Sequence, residues 1–532
     1  MKILVCDPIS PKGIALLQQR SEFQVVVLPK RLSEADLLPL VGDATAMVVR
    51  SETRVTRKVI EAAPKLRVVG RAGVGVDNVD VEAATQRGVV VMNTPGGNTV
   101  STAELSFAMI LALARKVPQA QASMIEGKWD RKQFQGIELA GKTLGVLGMG
   151  RIGTEIAKRA LAFGMRVMAY DPFLTEARAR TLGITLATDL DELYRDADFI
   201  TVHLPVTELT RGMLNSAAFA RMKPGVRLVN CARGEIVVEA DLLAALDSGQ
   251  VAAAALDVFI AEPLPADHPF RKHPGITLTP HLGASTMEAQ EKCGIEVAEV
   301  ITSYLLTGEV RNAVNLPFLD AVTYELVKPY MTLGEKLGRL LAQLAPPQVD
   351  RLHITYGGKA QELPNIDPVT RAIVLGFLSR AAVKDLNNVN VRSIAATLGL
   401  TVEEKRSNEP VTFNEWLHVQ VFNNGEKVIS AGGTFFGSPN NPRIVRLYST
   451  PVEIPISGTL LLLTNKDRPG IVGYLGTLLS KHRINIANMS LHRDEAGGQA
   501  LTVLTLDTEP TAAVLDELQQ DPDIHNVKVV IL

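Results

Sequence analysis

The sequence predicts an α/β protein: two Rossmann-like lobes with doubly wound parallel sheets, then an α+β domain, then a ferredoxin-like βαββαβ domain. Three observations carry this prediction. Short β-rich runs alternate with helical patterns over roughly residues 1–315. A glycine loop, Gly148-Met149-Gly150-Arg151-Ile152-Gly153, sits between one such run and a helical stretch. Beyond Pro317 the rhythm gives way to a mixed, turn-rich region and then to a β-α-β-β-α-β order.

At 532 residues the chain exceeds one core, since domains average roughly 150 residues. A hydrophobic fraction of 46% and a charged fraction of 21% are ordinary globular values. The net charge of -2 supplies no overall field for nucleic acid or an acidic membrane, so neither is an expected partner. Cys6, Cys231 and Cys293 have neither disulfide nor metal-ligand spacing, which points to a reducing compartment, the cytoplasm, and to no metal site. No apolar run approaches the ~20 residues that span a bilayer, and residues 2–7 read as a short strand ended by Asp7 rather than a signal peptide.

In the first unit, strands are expected at 3–6, 25–28, 46–49, 66–69 and 89–92. Ser101 and Glu104 have capping-box spacing, which predicts that a buried helix through 105–113 starts there. Six further strands are expected at 143–147, 166–169, 199–202, 226–229, 252–256 and 276–278. A helix over 286–306 ends near Gly308, and residues 310–315, too short to begin a domain, return to the first unit. The expected domains are therefore 1–97 plus 285–316, 98–284, 317–455 and 456–532, with a ligand cleft between the first two. In the last, strands are expected at 460–463, 484–491, 501–506 and 527–531, with helices at 471–481 and 511–520.

Within the loop, Gly148 permits the turn out of the strand, Gly150 lets backbone approach a pyrophosphate, and Gly153 allows helix to pack on sheet. The helix that follows turns its N-terminus to the phosphates. Asp171 ends the next strand, 18 positions beyond Gly153. Its carboxylate accepts from ribose hydroxyls and repels a 2′-phosphate, which favours NAD over NADP.

Hydride transfer from a hydroxyl carbon needs a base, a group to balance the base's acquired charge, and a cation for the substrate. His281, Glu262 and Arg233 follow three predicted strands at the edge where open α/β sheets bind ligands. The imidazole suits the base, the carboxylate suits its other N–H, and the guanidinium suits a bidentate grip on a carboxylate.

The glycine loop, Asn230-Cys231-Ala232-Arg233-Gly234, Asp257-Val258-Phe259, Glu262-Pro263 and Pro280-His281-Leu282-Gly283-Ala284 resemble the D-isomer-specific 2-hydroxyacid dehydrogenase family. Val49-Arg50-Ser51, residues 70–80 and residues 93–98 extend the resemblance, which covers about residues 1–315. It implies that Arg233, Glu262 and His281 are catalytic. It implies an NAD site lined by Gly148, Gly150, Arg151, Ile152, Gly153, Asp171, His203, Leu204, Cys231, Ala232, Arg233, Asp257, His281, Gly283 and Ala284. Substrate contacts are implied for Arg50, Ser51, Arg71, Gly73, Val74, Gly75 and Asn98; Val74 departs from the hydroxyl residue that relatives often carry. A phosphorylated substrate, 3-phosphoglycerate, is implied, with Arg50 and Arg71 as added cations. Arg131 and Lys132 would reach a neighbouring subunit's cleft in a homodimer or homotetramer.

Asn465-Lys466-Asp467-Arg468-Pro469-Gly470 and Asn485-Ile486-Ala487 resemble the amino-acid-binding loop and following strand of an ACT domain. The resemblance implies an effector, L-serine, held by Asp467 and Asn485. Residues 317–455 resemble the intervening domain of the longer family members and carry no metal spacing or nucleophile-base pair. Two other readings stand beside this one: a dehydrogenase of unphosphorylated glycerate or glyoxylate, and an NAD-sensing binding protein on the same core.

Overall fold

The computed structural model of the protein describes residues 1–317, 321–381, 385–409, 415–438 and 441–532. Positions 439 and 440 of the turn-rich stretch 437–442 lie outside the described residues.

The first lobe is a parallel sheet of β1 (Lys2–Val5), β2 (Gln24–Val27), β3 (Ala44–Val49), β4 (Val68–Arg71) and β5 (Val90–Met92). Its order is β2-β1-β3-β4-β5. The strands are runs of Val, Ile and Leu rather than alternating patterns because both faces are covered, one cluster holding Val49, Val69 and Val91 and the other Val48, Val68 and Val90. The helix Met287–Thr307 supplies Val297 and Ile301 to the second cluster and ends on Gly308 in the left-handed region, as expected. The chain then returns to β5, where the Val314 N–H donates to the Val91 carbonyl at 2.7 Å and the Val91 N–H to Asn315 Oδ1 at 2.9 Å.

The second lobe contains β6 (Thr143–Leu147), β7 (Arg166–Tyr170), β8 (Thr185–Leu186), β9 (Phe199–Val202), β10 (Val226–Asn230), β11 (Val251–Leu256) and β12 (Ile276–Leu278). All pairings are parallel, in the order β12-β11-β10-β9-β6-β7-β8. The six expected strands are joined by β8, which at two residues is too short to show as an apolar run. The strand order reverses between β6 and β9, so the loops after them flank the ligand crevice of an open α/β sheet.

The helix that joins the lobes, Thr99–Arg115, starts earlier than the capping-box spacing predicts. Asn98 is its N-cap, while the Ser101 hydroxyl donates back to the Asn98 carbonyl at 3.0 Å. Glu104 is drawn instead to Arg159, 3.1 Å away. A tertiary ion pair thus displaces the reciprocal cap.

The third sheet comprises β13 (Arg351–Gly358), β14 (Thr401–Ser407), β15 (Glu415–Asn423), β16 (Glu426–Phe435), β17 (Pro442–Leu447) and β18 (Thr450–Pro455). Its order is β14-β13-β15-β16-β17-β18, parallel only at β13–β14. The helices Ala321–Leu344 and Asp367–Leu378 pack on its apolar face. The fourth sheet, β19 (Thr459–Lys466), β20 (Ile486–Arg493), β21 (Gln499–Leu506) and β22 (Ile524–Ile531), is antiparallel in the order β20-β21-β19-β22. With the helices Ile471–Lys481 and Ala512–Gln519 it forms the expected βαββαβ domain.

Alternation along β19 and β21 divides this last sheet between two cores. Leu461, Leu463, Leu504 and Leu506 meet the domain's own helices. Leu460, Leu462, Leu501 and Val503, with Val530, join the core that holds Leu333, Leu337 and Leu340 of the preceding domain. Full burial of each such side chain contributes roughly 1.5–3 kcal/mol, so the two C-terminal domains are bound into one body. The Gln343 amide completes the join by bonding both the carbonyl and the N–H of Ile531 at 3.0 Å, which occupies the β22 edge.

That body is fastened to the first lobe. Val389 is buried in the cluster that contains Val90 and Met92. Beside it Asn387 Nδ2 donates to the Gly88 carbonyl at 3.0 Å, and Arg87 lies 3.7 Å from Asp385. From the helix Asp367–Leu378, Arg371 holds the same loop through the carbonyls of Asn388 and Val389. Among the described residues no helix is long and apolar enough to cross a membrane.

Candidate active site

Gly148 leaves β6 with φ 96°, and a Cβ on it would lie 2.5 Å from the His203 carbonyl oxygen, so the two switch-point loops approach only over glycine. A Cβ on Gly153 would lie 2.1 Å from the Gly148 carbonyl, which explains its place in the helix Arg151–Ala162. Gly150 differs: among the described residues a Cβ there would meet nothing within 4 Å, so the backbone is open to a ligand at that point. Asp171 is aimed by two backbone donors, Met149 N–H to Oδ2 at 2.7 Å and Phe173 N–H to Oδ1 at 2.8 Å. Met149, Gly150, Asp171 and Phe173, with Thr99, Arg151 and Arg178, line a cavity of about 670 Å³.

Among the described residues the buried atoms Asn98 Oδ1 and His203 Nδ1 have no hydrogen-bond partner. Burial pushes the His203 imidazole down to about 3, which keeps it neutral, and its Nε2 pairs with the Thr201 hydroxyl at 2.9 Å. The open glycine cradle, the aimed carboxylate and these orphaned atoms together fit a dinucleotide.

Beyond β12 the chain turns sharply at His281, which has φ 56°. Such a conformation costs a non-glycine residue of order 1 kcal/mol and persists only where surroundings enforce it. Asp257 enforces it from below: its carboxylate accepts the Thr279 hydroxyl at 2.6 Å and the N–H groups of Leu282 and Gly283 at 2.7 and 2.9 Å. Burial outweighs these bonds and holds its carboxyl above the usual range. Thr102, on the helix between the lobes, donates to the Gly283 carbonyl at 3.0 Å.

The turn points Nδ1 of His281 at Glu262 Oε2, 2.7 Å away, and leaves Nε2 for a ligand. Burial acts to raise the Glu262 carboxyl, but the His281 hydrogen bond and charge and the Phe259 N–H, 3.0 Å from Oε1, outweigh it and hold it below 4.5.

Opposite, Arg233 lies just beyond the end of β10 and reaches across to the first lobe. Its Nε donates to Asp77 Oδ2 at 2.9 Å and its Nη1 to the Ala232 carbonyl at 2.6 Å. A Cβ on Gly75 would lie 1.7 Å from Arg233 Nη2, so the guanidinium rests on a bare backbone. Arg71 lies over Gly73 in the same way, its Nη1 1.5 Å from where a Cβ would stand. Burial, with repulsion from Arg233 and Arg50, pushes Arg71 down to about 10, and its Nε has no partner among the described residues. Three guanidiniums from both lobes therefore converge on one cleft.

Residues 107–283 match the NAD-binding domain of the D-isomer specific 2-hydroxyacid dehydrogenases, residues 326–448 the D-3-phosphoglycerate dehydrogenase intervening domain, and residues 459–523 the ACT domain. A D-3-phosphoglycerate dehydrogenase of Archaeoglobus fulgidus is 43% identical over 520 residues, 97% of each chain. One from Bacillus subtilis is 40% identical over 531 residues, covering 100% of this chain and 99% of the relative. The chain belongs to the D-3-phosphoglycerate dehydrogenase family. Among solved structures, the NAD+-bound 3-phosphoglycerate dehydrogenase of Entamoeba histolytica aligns with a TM-score of 0.51 at 30% identity, over 60% of this chain and 99% of that one. The NAD-bound formate dehydrogenase of Staphylococcus aureus aligns with a TM-score of 0.53 at 30% identity, over 59% and 98%. The protein is thus an NAD-dependent dehydrogenase of the D-2-hydroxyacid type.

In this member of the D-3-phosphoglycerate dehydrogenase family, His281, Glu262, Arg233, Arg71, Gly73 and Gly75 come together around the cleft, while Asn98 is the N-cap of the helix Thr99–Arg115. Asp257 and Cys231 do not present their side chains to it. The Asp257 carboxylate is fully buried under the histidine turn, and the Cys231 thiol, pushed up to about 12 by burial, faces Met109 at 3.3 Å. Arg131 and Lys132 are exposed in the turn after the helix Val117–Ile125. In the ACT domain, Asp467 Oδ2 accepts from Arg493 at 2.6 Å and from the Gly497 N–H at 3.1 Å, while Asn485 Nδ2 donates to Asp507 at 2.8 Å.

Asp7 was not anticipated as part of the site. Buried just beyond β1, it accepts the Arg50 N–H at 2.6 Å, the Thr53 N–H at 3.1 Å and the Thr53 hydroxyl at 2.5 Å, and so shapes the turn that carries Arg50 and Ser51. Its one sequence signal is an acid closing an apolar strand.

Proposed function

We propose that the protein oxidises 3-phospho-D-glycerate to 3-phosphooxypyruvate with NAD, the first step of L-serine biosynthesis, in the cytoplasm and as a homodimer or homotetramer. The observation that carries this reading is the convergence of Arg50, Arg71 and Arg233, more positive charge than a single carboxylate requires. Residues 1–97 and 285–316 read the substrate, 98–284 hold the cofactor, and 317–455 and 456–532 regulate.

Arg233 grips the C1 carboxylate and Arg50 and Arg71 meet the phosphate, while Ser51, Gly73, Val74, Gly75 and Asn98 shape the pocket around the carbon chain. His281 takes the C2 hydroxyl proton at Nε2, and Glu262 balances the charge the ring acquires and fixes its orientation through Nδ1. NAD, when bound, supplies the acceptor for the C2 hydride. Ile152, Leu204, Ala232 and Ala284 form the bed of the cofactor, with Asp171 on the ribose and Arg151 at the helix N-terminus beside the phosphates. Arg131 and Lys132 enter the neighbouring subunit's cleft, a role that their exposure supports. L-serine acts at Asp467 and Asn485 as end-product inhibitor; the match to an ACT domain supports it.

NADH oxidation measured with phosphooxypyruvate, hydroxypyruvate and glyoxylate tests the substrate. The phosphorylated acid should give the highest kcat/KM; equal or better use of hydroxypyruvate or glyoxylate would overturn the assignment.

A further inference from the structure

Arg233 is fixed from both sides of the cleft. Its own lobe holds its backbone, with Asn230 Nδ2 donating to the Arg233 carbonyl at 2.9 Å and the Ala232 N–H to Asn230 Oδ1 at 3.0 Å. The opposite lobe holds its side chain through Asp77, 156 positions away in the chain. The Asp77 backbone is itself anchored, because the next residue, Asn78, donates from Nδ2 to the carbonyls of Arg50 and Thr53 at 2.8 and 2.6 Å. Gly75 lies between them: a Cβ there would stand 1.7 Å from Arg233 Nη2 and 2.8 Å from Asp77 Oδ2.

With Nε on Asp77 and Nη1 on the Ala232 carbonyl, the guanidinium has its plane and rotation set, and Nη2 is left facing the glycine turn. A free arginine surrenders up to about 2 kcal/mol of rotamer freedom when it orders on a ligand. Asp77 removes that cost in advance. Although its carboxylate is 66% exposed, the pair does more than a surface ion pair, because it bridges the two lobes and aims the cation that meets the substrate.

We propose that Asp77 is a positioning residue for the reaction, acting through Arg233 to hold the substrate-carboxylate grip ready across the open cleft. The inference rests on the reading of Arg233 given above. Asp77→Asn should raise the KM for phosphooxypyruvate about tenfold, the scale of one charge-assisted hydrogen bond, with a smaller change in kcat and unaltered NADH binding by fluorescence. Asp77→Glu should recover part of the loss, and thermal melts should match the parent, because the site is exposed.

In an Arg233→Lys background, which lacks the planar fork, Asp77→Asn should change KM by less than about twofold. An unchanged or lowered KM in the single variant overturns the proposal, a lowered one meaning that Asp77 competes with substrate for the arginine. Equal losses in both backgrounds overturn it too, by showing that Asp77 acts elsewhere. If Arg233→Lys alone behaves like the parent, the role of Arg233 falls, and that of Asp77 with it.

Discussion

Nδ1 of His281 lies 2.7 Å from Oε2 of Glu262, and the two side chains meet because Asp257 holds the histidine turn in a left-handed conformation from beneath. The geometry leaves one ring nitrogen for proton transfer. His281→Ala is therefore expected to lower kcat by about a thousandfold, within the span usual for a positioned base, while NADH binding by fluorescence quenching stays at the parent level.

The same pair sets a pH dependence of stability. The Glu262 carboxyl is held below 4.5, so its contribution is fully present above that value and is lost as pH falls through the lower folded value. Melting temperatures of the parent and Glu262→Gln, compared from pH 7 to 3, should differ most at neutral pH and converge at the acid end. A constant difference across the range would show that the ionised pair does not contribute.

Arg71 should discriminate by phosphate. Arg71→Met removes a half-buried cation whose Nε has no partner among the described residues, so kcat/KM for phosphooxypyruvate should fall about tenfold to a hundredfold. The value for hydroxypyruvate should change little. Equal losses with both acids would place Arg71 outside phosphate recognition.

Asp171→Ala should narrow the preference for NADH over NADPH, since the carboxylate that is aimed by Met149 and Phe173 repels a 2′-phosphate. The ratio of kcat/KM for the two cofactors is the readout, with a shift of about tenfold expected.

Serine control is better tested by point substitution than by truncation. Removing the chain after 456 would strip Leu460, Leu462, Leu501, Val503 and Val530 from a shared core and bare the apolar surface they cover, so the shortened protein should aggregate or melt earlier. Asp467→Ala in the full chain should keep its activity and lose its response to millimolar L-serine. A parent enzyme that ignores L-serine would remove the basis of this expectation.

Much of the fold is legible in the sequence because parallel strands buried on both faces must be unbroken apolar runs; those ending at Val5, Val49 and Leu147 stand out for that reason. The two-residue β8 has no such run. The helix after Asn98 starts early, and Glu104 pairs with Arg159, a partner that local spacing cannot reveal. The glycine loop, His281, Glu262 and Arg233 are legible since their chemistry and position after strands coincide. Asp7 and Asp77 are not, because each acts on residues brought near only by the folded topology, and Asp257 looks like a ligand contact until its carboxylate is seen turned under the histidine.

Val389, seated in the core behind β5, ties the two C-terminal domains to the first lobe. The two C-terminal domains grip the lobe of Arg50, Arg71 and Asp77 through this wedge and through Asn387 on Gly88. Linkage is reciprocal, so an effector bound at the far end of the chain and a ligand bound to the first lobe are expected to change each other's affinity by the same factor. Effector and substrate should show a coupling free energy, while the dissociation constant for NADH stays nearly independent of the effector.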